Sequence, residues 1–369
     1  SVAAALRMSP RTRKPANPPP ADLTQVARLW DAARQDQPAE RVLHAMSDLP
    51  SKVAIHEEGP REGFQIEKGP ISTARKIELI DALSETGLKK IQVASFVSPR
   101  AVPGWADADD VVKGFKRKSG VKYHVLWLNE KGLQRAIMHQ QDGAGLEMYG
   151  SISTTASETF MRKNTNRGYE DNVRIQGNQI KLYQEQNMPV TRASIMTAFG
   201  CNYEGPVEIS TVIKRLAEIL ALADEMGCKI EVVSLADTMG WANPVAVKRL
   251  VGAVREKWPE LRINLHLHDT RGLGIANALA GMQMGVSEFD AAVAGLGGCP
   301  FAALKGAAGN VCTEDLVFLC EEMGVETGVD LDKLVEVAQL AEDIVGHPLP
   351  GSIMHAGTLT AARAQAKAP

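Results

Sequence analysis

The feature that most constrains the fold of this 369-residue chain is the alternation of eight short β-rich segments with longer helical ones. Each β-rich segment is dense in branched apolar residues and gives way to a helical pattern. Eight such units predict a TIM (β/α)8 barrel, with an open doubly wound sheet as the alternative. No GxGxxG motif opens the first βα turn, which favours the barrel. The predicted strands are 53–59, 89–96, 123–128, 145–153, 190–200, 229–237, 262–269 and 287–295, and the predicted helices lie near 72–86, 107–117, 130–141, 164–187, 207–226, 243–257, 272–284 and 313–323.

The segments outside the barrel predict three regions. Residues 1–50 read as a basic, Pro-rich arm followed by a helical extension (22–48), residues 51–345 as the barrel, and residues 346–369 as a tail with short helices. The arm lacks the apolar core of a secretory signal, while an organellar targeting role stays open.

Composition excludes several classes of function. The formal net charge of −3 gives no basis for nucleic-acid binding, and no apolar run reaches the roughly 20 residues that span a membrane. The five cysteines contain no CxxC pair, a pattern typical of a reduced, cytoplasmic protein.

A barrel requires its catalytic side chains at the carboxyl ends of the strands or in the loops that follow. Six separated segments place polar residues there. These candidates are Glu57, Arg61 and Glu62 after strand one, Gln92 on strand two, Asp237 ending strand six, His266 and His268 ending strand seven, and Cys299 and Asn310 after strand eight.

The pair His266 and His268 predicts a metal site. Residues i and i+2 of a strand point to the same face, so both imidazoles project together, although two core or surface histidines are the alternative. Strands one, seven and eight are neighbours in a closed barrel, which makes Glu62 the natural anionic ligand, and Asn310 offers an amide oxygen. This mixed N/O set suits Mg²⁺ or Mn²⁺, with Co²⁺ or Zn²⁺ as further options.

Two further residues have a chemical and a structural interpretation. Arg61 offers a planar cation for an enolate or carboxylate oxygen, or it forms a salt bridge with Glu57 or Glu58. Cys299 lies in a glycine-rich loop where its thiol can move a proton, or it is a small buried apolar residue.

These motifs together resemble the 3-hydroxy-3-methylglutaryl-CoA lyase family of metal-dependent barrel enzymes. The resemblance covers roughly residues 52–345, and the loop containing Cys299 is its most discriminating part. The matching segments are EEGPREGFQIEK (57–68), SFVSPRAVP (95–103), AFGCNYEG (198–205), LADTMG (235–240), HLHDT (266–270), VAGLGGCPFA (293–302) and GNVCTEDLV (309–317).

The resemblance implies a retro-Claisen cleavage of a 3-hydroxy-3-alkylglutaryl-CoA into acetyl-CoA and a keto acid. Glu62, His266, His268 and Asn310 are then metal ligands, Arg61 stabilises the enolate, Cys299 acts from a closing loop and Asp237 supports the site. An acyl-CoA substrate and a homo-oligomer are also expected. Gln92 joins the catalytic set, and the residues predicted to contact the substrate are Gln65, Arg271 and Lys305.

The chain departs from the family pattern near the predicted site. Glu62 replaces the usual Asp, Gln92 the usual Glu, and Arg271 an aromatic residue, while the loop after Cys299 is longer and contains Lys305. One interpretation is a more anionic or more polar acyl group. The alternatives are solvated loop charges, or drift with the ordinary substrate retained.

Two other functions stay open at this stage. A Claisen-type acyltransferase would use a similar site to condense acetyl-CoA with a keto acid. A barrel that has lost activity and serves as a binding protein is supported only by Gln92, whereas the retained ligand set with Arg61 and Cys299 disfavours it.

Overall fold

The computed structural model describes residues 49–67, 69–143, 145–298 and 309–366, within the larger of the chain's two units, Asp48–Pro369. The predicted helical extension 22–48, Cys299 and Lys305 lie outside the described residues. In the described part, no helix is both long enough and apolar enough to cross a membrane.

Eight parallel strands form one sheet in the spatial order β3-β2-β1-β8-β7-β6-β5-β4. This is the cyclic order of a barrel, because β1 pairs with both β2 and β8. Between β3 and β4 the connection is a single bridge, Tyr123 with Leu146, just before β4. The predicted barrel fold is therefore confirmed. The strands are β1 Ala54–Glu57, β2 Lys90–Ser95, β3 Lys122–Leu126, β4 Gly150–Thr155, β5 Val190–Met196, β6 Val232–Ala236, β7 Arg262–His266 and β8 Glu288–Ala291.

Helices surround the sheet and alternate with the strands. Local sequence explains several boundaries: Ser72 caps α2 by accepting a hydrogen bond from the Arg75 N–H, and Asn243 caps α8 in the same way just before Pro244. The helices are α1 Gly59–Ile66, α2 Thr73–Ser84, α3 Ala108–Gly114, α4 Glu130–Gln141, α5 Glu158–Thr165, α6 Tyr169–Glu185, α7 Ile209–Glu225, α8 Pro244–Lys257, α9 Gly274–Gln283, α10 Thr313–Glu322, α11 Leu331–Val345, α12 Ile353–Ala356 and α13 Leu359–Ala366.

The core lies between the strands and the helices. Ile91 and Val93 of β2 and Leu79 and Leu83 of α2 are fully buried in one continuous apolar cluster. This burial holds the helices on the outside of the sheet. Because all eight strands run parallel, their carboxyl ends lie at one mouth.

Two local differences from the predicted elements bear on the site. Helix α1 was not predicted, although Pro60 in its first turn is a recognised start signal. Strand β5 ends at Met196 rather than at residue 200, because Thr197 adopts a left-handed backbone conformation (φ +54°).

Candidate active site

Helix α1 brings Arg61 and Glu62 over the mouth of the barrel. Strand β1 ends at Glu57, whose buried carboxylate accepts hydrogen bonds from the N–H groups of Gly59 (2.7 Å) and Val293 (2.9 Å). Thr313 Oγ1 donates to the same carboxylate at 2.6 Å. The turn from β1 into α1 is thereby tied to the segments that follow β8.

His266 and His268 lie side by side, as the strand alternation predicts. Their Nε2 atoms are 3.2 Å apart. The predicted neighbour relationships also hold, because β8 pairs with β1 on one side and β7 on the other. Beyond β7, His268 forms an antiparallel bridge with Asn310, which brings the segment after β8 against the histidine pair.

Glu62 completes a three-residue cluster with the two histidines. One potential ligand atom from each of Glu62, His266 and His268 lies within 4.8 Å of the others. Asn310 Nδ2 donates to Glu62 Oε2 at 2.5 Å and to the Leu296 carbonyl at 3.1 Å. The structure therefore brings together all four residues that were predicted as metal ligands.

The cluster combines an ionised carboxylate with one neutral and one protonated imidazole. Burial opposes ionisation of Glu62, but Arg61 and the two histidines lower its pKa to about 2. Burial and the neighbouring His266 lower the pKa of His268 to about 4, which leaves its imidazole neutral. Burial likewise opposes a charge on His266, but Asp290 and Glu62 raise its pKa to about 9.

Asp290 orients His266 from the far side of the ring, and sequence reasoning missed it. Its Oδ2 lies 3.1 Å from His266 Nδ1 and accepts a hydrogen bond from Asn264 Nδ2 at 2.9 Å. Its Oδ1 lies 3.3 Å from Nδ1 of His56 on β1. Burial opposes ionisation, but these histidines hold the pKa of Asp290 well below its usual range.

Arg61 is held within a dense polar network. Its Nη2 donates to Glu58 Oε2 at 2.6 Å and lies 2.8 Å from Glu62 Oε1, and its Nε donates to Gln92 Oε1. Trp105 Nε1 donates to the Arg61 carbonyl at 2.9 Å. The salt bridge with Glu58 that was considered for Arg61 is present, together with one to the predicted ligand Glu62.

The segment Val293–Gly298 leads from β8 towards the predicted Cys299 loop and packs against the cluster. Ala294, Gly295, Gly297 and Gly298 all have positive φ angles. A Cβ on Gly297 would lie 2.5 Å from Glu62 Cβ and 2.8 Å from Asn310 Nδ2, so only glycine fits this close approach.

The remaining predicted site residues have different surroundings. Asp237 Oδ1 accepts from the Trp241 and Ala242 N–H groups, and burial raises its pKa to about 6. Arg271 Nη1 donates to the carbonyls of Met239 and Gly240. Gln65 lies on α1, where its Oε1 is buried without a hydrogen-bond partner in the described residues.

The cluster fits a divalent metal ion on its own chemistry. Two imidazoles, one strongly acidic carboxylate and an adjacent amide form a mixed N/O donor set. The carboxylate of Asp290 behind His266 is the kind of outer partner that fixes a metal-ligating histidine. A parallel barrel with this cluster at its carboxyl mouth defines the class as a metal-site barrel enzyme.

Comparisons with known proteins give the family. The HMGL-like family profile matches residues 52–341. Hydroxymethylglutaryl-CoA lyase of Bacillus subtilis is 42% identical over 301 residues, 82% of this chain and 96% of that protein. The mitochondrial hydroxymethylglutaryl-CoA lyase of Macaca fascicularis is 43% identical over 292 residues, 79% of this chain and 85% of that protein.

Solved structures agree with these sequence matches. The HMG-CoA lyase of B. subtilis aligns with a TM-score of 0.75 and 39% identity, over 84% of this chain and 98% of that one. The HMG-CoA lyase of Acinetobacter baumannii, in complex with coenzyme A and 3-methylmalate, aligns with a TM-score of 0.74 and 37% identity, over 84% and 96%. The chain belongs to the HMGL-like family. Its predicted resemblance to hydroxymethylglutaryl-CoA lyases and its predicted class, a carbon–carbon lyase, are confirmed.

Proposed function

We propose that this protein cleaves 3-hydroxy-3-methylglutaryl-CoA, or a closely related 3-hydroxy-3-alkylglutaryl-CoA, into acetyl-CoA and a β-keto acid. The observation that carries the proposal is the cluster of Glu62, His266 and His268 within 4.8 Å, with the Arg61 guanidinium 2.8 Å from Glu62. This arrangement places a metal-binding donor set beside a fixed cation, and a metal-dependent retro-Claisen cleavage uses both.

Glu62, His266, His268 and Asn310 would hold the metal ion, which we infer to be Mg²⁺ or Mn²⁺ because carboxylate and amide oxygens accompany the imidazoles. When bound, the ion would lower the pKa of the substrate's tertiary hydroxyl and orient it. The neutral state of His268 and the ionised state of Glu62 are the ligating forms, whereas His266, with a pKa raised to about 9, would release its proton on metal binding.

The protein's own groups then account for the proton and charge changes. The C3 hydroxyl loses its proton, the C2–C3 bond breaks, C3 becomes a ketone and the thioester becomes an enolate. Asp237 is our candidate for the supporting proton acceptor, since its Oδ2 is buried without a partner in the described residues. Arg61 would stabilise the enolate oxygen, and Cys299 would return a proton to the enolate carbon.

Gln92, Gln65, Arg271 and Lys305 are proposed to set the fit of the substrate. The Arg271 guanidinium lies 6.0 Å from the Trp241 ring and is anchored by two backbone carbonyls, which supports a fixed cation near the mouth. A cation there would suit a carboxylate or another polar group on the acyl chain. The 3-methylmalate in the A. baumannii enzyme is a hydroxy acid that carries carboxylate groups.

Cellular context is proposed with the function. We infer a cytoplasmic enzyme from the cysteine pattern, an acyl-CoA as its substrate and a homo-oligomer as its assembly. Cell fractionation tests the location, and light scattering on the purified protein tests the assembly. The division of the chain at residues 50 and 345 is likewise a prediction, which limited proteolysis tests.

The decisive experiment is a panel of 3-hydroxyacyl-CoA thioesters, with methyl, longer alkyl and carboxymethyl groups at C3. Glu326 pairs with Lys52 on the surface, where 67% of its side chain is exposed, and Glu326→Gln is the control. Cleavage of the methyl compound with Mg²⁺ or Mn²⁺, its loss in Arg61→Lys and its retention in Glu326→Gln support the proposal. Preference for the carboxymethyl compound supports the more anionic substrate, whereas cleavage of the methyl compound alone refutes it. Condensation without cleavage indicates the acyltransferase, and no turnover across the panel contradicts the lyase.

A further inference from the structure

We propose that Glu58 is a positioning residue that fixes the guanidinium of Arg61, and that it supplies the carboxylate that this chain lacks on β2, where Gln92 stands. The inference rests on the proposed function, in which Arg61 meets the enolate oxygen. It extends the salt bridge between Arg61 and Glu58 to a positioning role for an acidic residue outside the metal cluster.

The backbone of Glu58 is held by hydrogen bonds through both its N–H and its carbonyl group, and its side chain is held by Arg61. It directly follows β1 and precedes the first turn of α1. Its backbone N–H donates to the Ala291 carbonyl at 2.8 Å, and its carbonyl accepts from the Glu62 N–H at 2.9 Å. Its carboxylate then meets Arg61 Nη2 at 2.6 Å, with 13% of the arginine side chain and 9% of the glutamate side chain exposed. Burial raises the pKa of Glu58, and the adjacent Arg61 cation counteracts this rise. The ionised pair forms a charge-assisted hydrogen bond, which is about twice as strong as a neutral one.

Gln92 contributes an oriented dipole but no charge. Its Oε1 accepts from Arg61 Nε, so its Nε2 is the atom that lies 2.8 Å from His124 Nε2. An amide nitrogen only donates, so His124 Nε2 is the acceptor and the ring carries its proton on Nδ1. Burial, followed by nearby cations, lowers the pKa of His124 well below its usual range, which keeps the ring neutral. His124 thus locks the amide of Gln92 with its oxygen towards Arg61.

The contacts of Arg61 leave one guanidinium nitrogen, Nη1, for the substrate. Its Nε is used by Gln92 and its Nη2 by Glu58 and Glu62, whereas Nη1 has no hydrogen-bond partner among the described residues. Glu62 also belongs to the metal cluster. Glu58 is thus the carboxylate that binds Arg61 from outside the metal cluster, and its Oε1 lies 3.8 Å from His124 Nε2. Without Glu58, the Arg61 guanidinium would move towards Glu62, and its Nη1 atom would no longer point to the enolate oxygen of the substrate.

A double-mutant cycle tests this relocated carboxylate. We expect Glu58→Gln to lower kcat at least 30-fold while the KM for the thioester changes less than threefold, because the orientation of Arg61 matters most in the transition state. Adding Gln92→Glu to that variant restores a carboxylate beside the guanidinium and should bring kcat within fivefold of the parent. Glu147→Gln is the matched control, because Glu147 pairs with Lys122 and Lys90 at the opposite end of the barrel.

A second readout does not depend on turnover. In protein labelled with ¹⁵N-arginine, the Nε–H resonance of Arg61 is identified by its loss in Arg61→Lys. Its exchange with solvent should be at least tenfold faster in Glu58→Gln and slow again in the double variant. Failure of the parent to cleave any thioester would contradict the proposed function and leave the exchange rates to decide the role of Glu58.

Two results would overturn the role. One is a Glu58→Gln variant with kcat within twofold of the parent, or with unchanged Nε–H exchange. The other is a folded double variant that recovers neither kcat nor slow exchange. That outcome would mean that a carboxylate at position 92 cannot replace Glu58, and that Glu58 has a structural role instead. Thermal unfolding of each variant checks that the barrel is intact.

Discussion

A buried carboxylate at the end of β1 makes the stability of this barrel depend on pH in a defined way. Glu57 is fully buried, and burial raises its pKa to about 7, against a usual value of 4.5, although bonds from Thr313, Val293 and Gly59 favour its ionised form. The folded protein therefore retains a proton on Glu57 between pH 4.5 and 7, where the unfolded chain releases it. By linkage, this group makes the folded state progressively less stable as pH rises through that window.

The magnitude follows from the shift in pKa. Each unit is worth about 1.4 kcal/mol, so a shift from 4.5 to about 7 amounts to about 3 kcal/mol at pH 7 and above. Glutamine has nearly the same shape, accepts the same two backbone N–H groups and donates to Thr313 through its amide nitrogen. Glu57→Gln should therefore keep the fold and remove the pH-dependent cost.

Urea unfolding of the parent and of Glu57→Gln at steps from pH 4.5 to 8 measures the effect. From pH 4.5 to 8, the free energy of unfolding of Glu57→Gln should rise by about 3 kcal/mol relative to that of the parent. This corresponds to a shift of roughly 1 M urea in the difference between the two unfolding midpoints. Groups common to both proteins cancel in the comparison. A difference that stays constant from pH 4.5 to 8 would refute the reasoning, since it would mean that Glu57 has the same pKa in the folded and unfolded chains.

Three further predictions concern the metal cluster, each with calorimetric titration of Mn²⁺ as the measurement. Glu62→Gln should weaken binding at least 100-fold because the only described anionic ligand is lost; binding within threefold of the parent would exclude Glu62 as a ligand. Asp290→Asn should weaken binding 10- to 100-fold by freeing the ring of His266, and an unchanged affinity would speak against that outer contact. Gly297→Ala should weaken binding at least tenfold and cost about 1–3 kcal/mol of stability, because its Cβ meets Glu62 at 2.5 Å. Gly272→Ala is its control, at a similar positive φ but with nothing within 4 Å, and equal effects of the two would rule out the steric cause.

The parts of the fold that were predictable are those with local periodicity. Seven of the eight strands follow from alternating or continuous apolar runs, and the histidine pair follows from the two-residue repeat of β7. Strand β4 (GSISTT) is mostly polar and begins at Gly150, five residues after the start of the predicted segment 145–153. Helix α1 was missed because its two turns are too short for a periodic pattern, although Pro60 marked its start.

The polar network behind the ligands was beyond local reasoning. Asp290 meets His266 because β8 and β7 pair with these two residues in register, and His56 approaches from β1 on the other side. Glu58, just after β1, and Gln92, within β2, converge on Arg61. Such contacts depend on strand register and tilt, which a single sequence does not specify.

Metal-dependent cleavage can be measured as product formation from 3-hydroxy-3-methylglutaryl-CoA by metal-stripped protein titrated with Mn²⁺. We expect no turnover in EDTA. Addition of Mn²⁺ should then release acetyl-CoA and acetoacetate in equal amounts, with activity that saturates near one bound ion per chain and is abolished in Glu62→Gln. Equal turnover with and without chelator would contradict the account, as would Mn²⁺ binding at these residues without cleavage of any 3-hydroxyacyl-CoA in the panel.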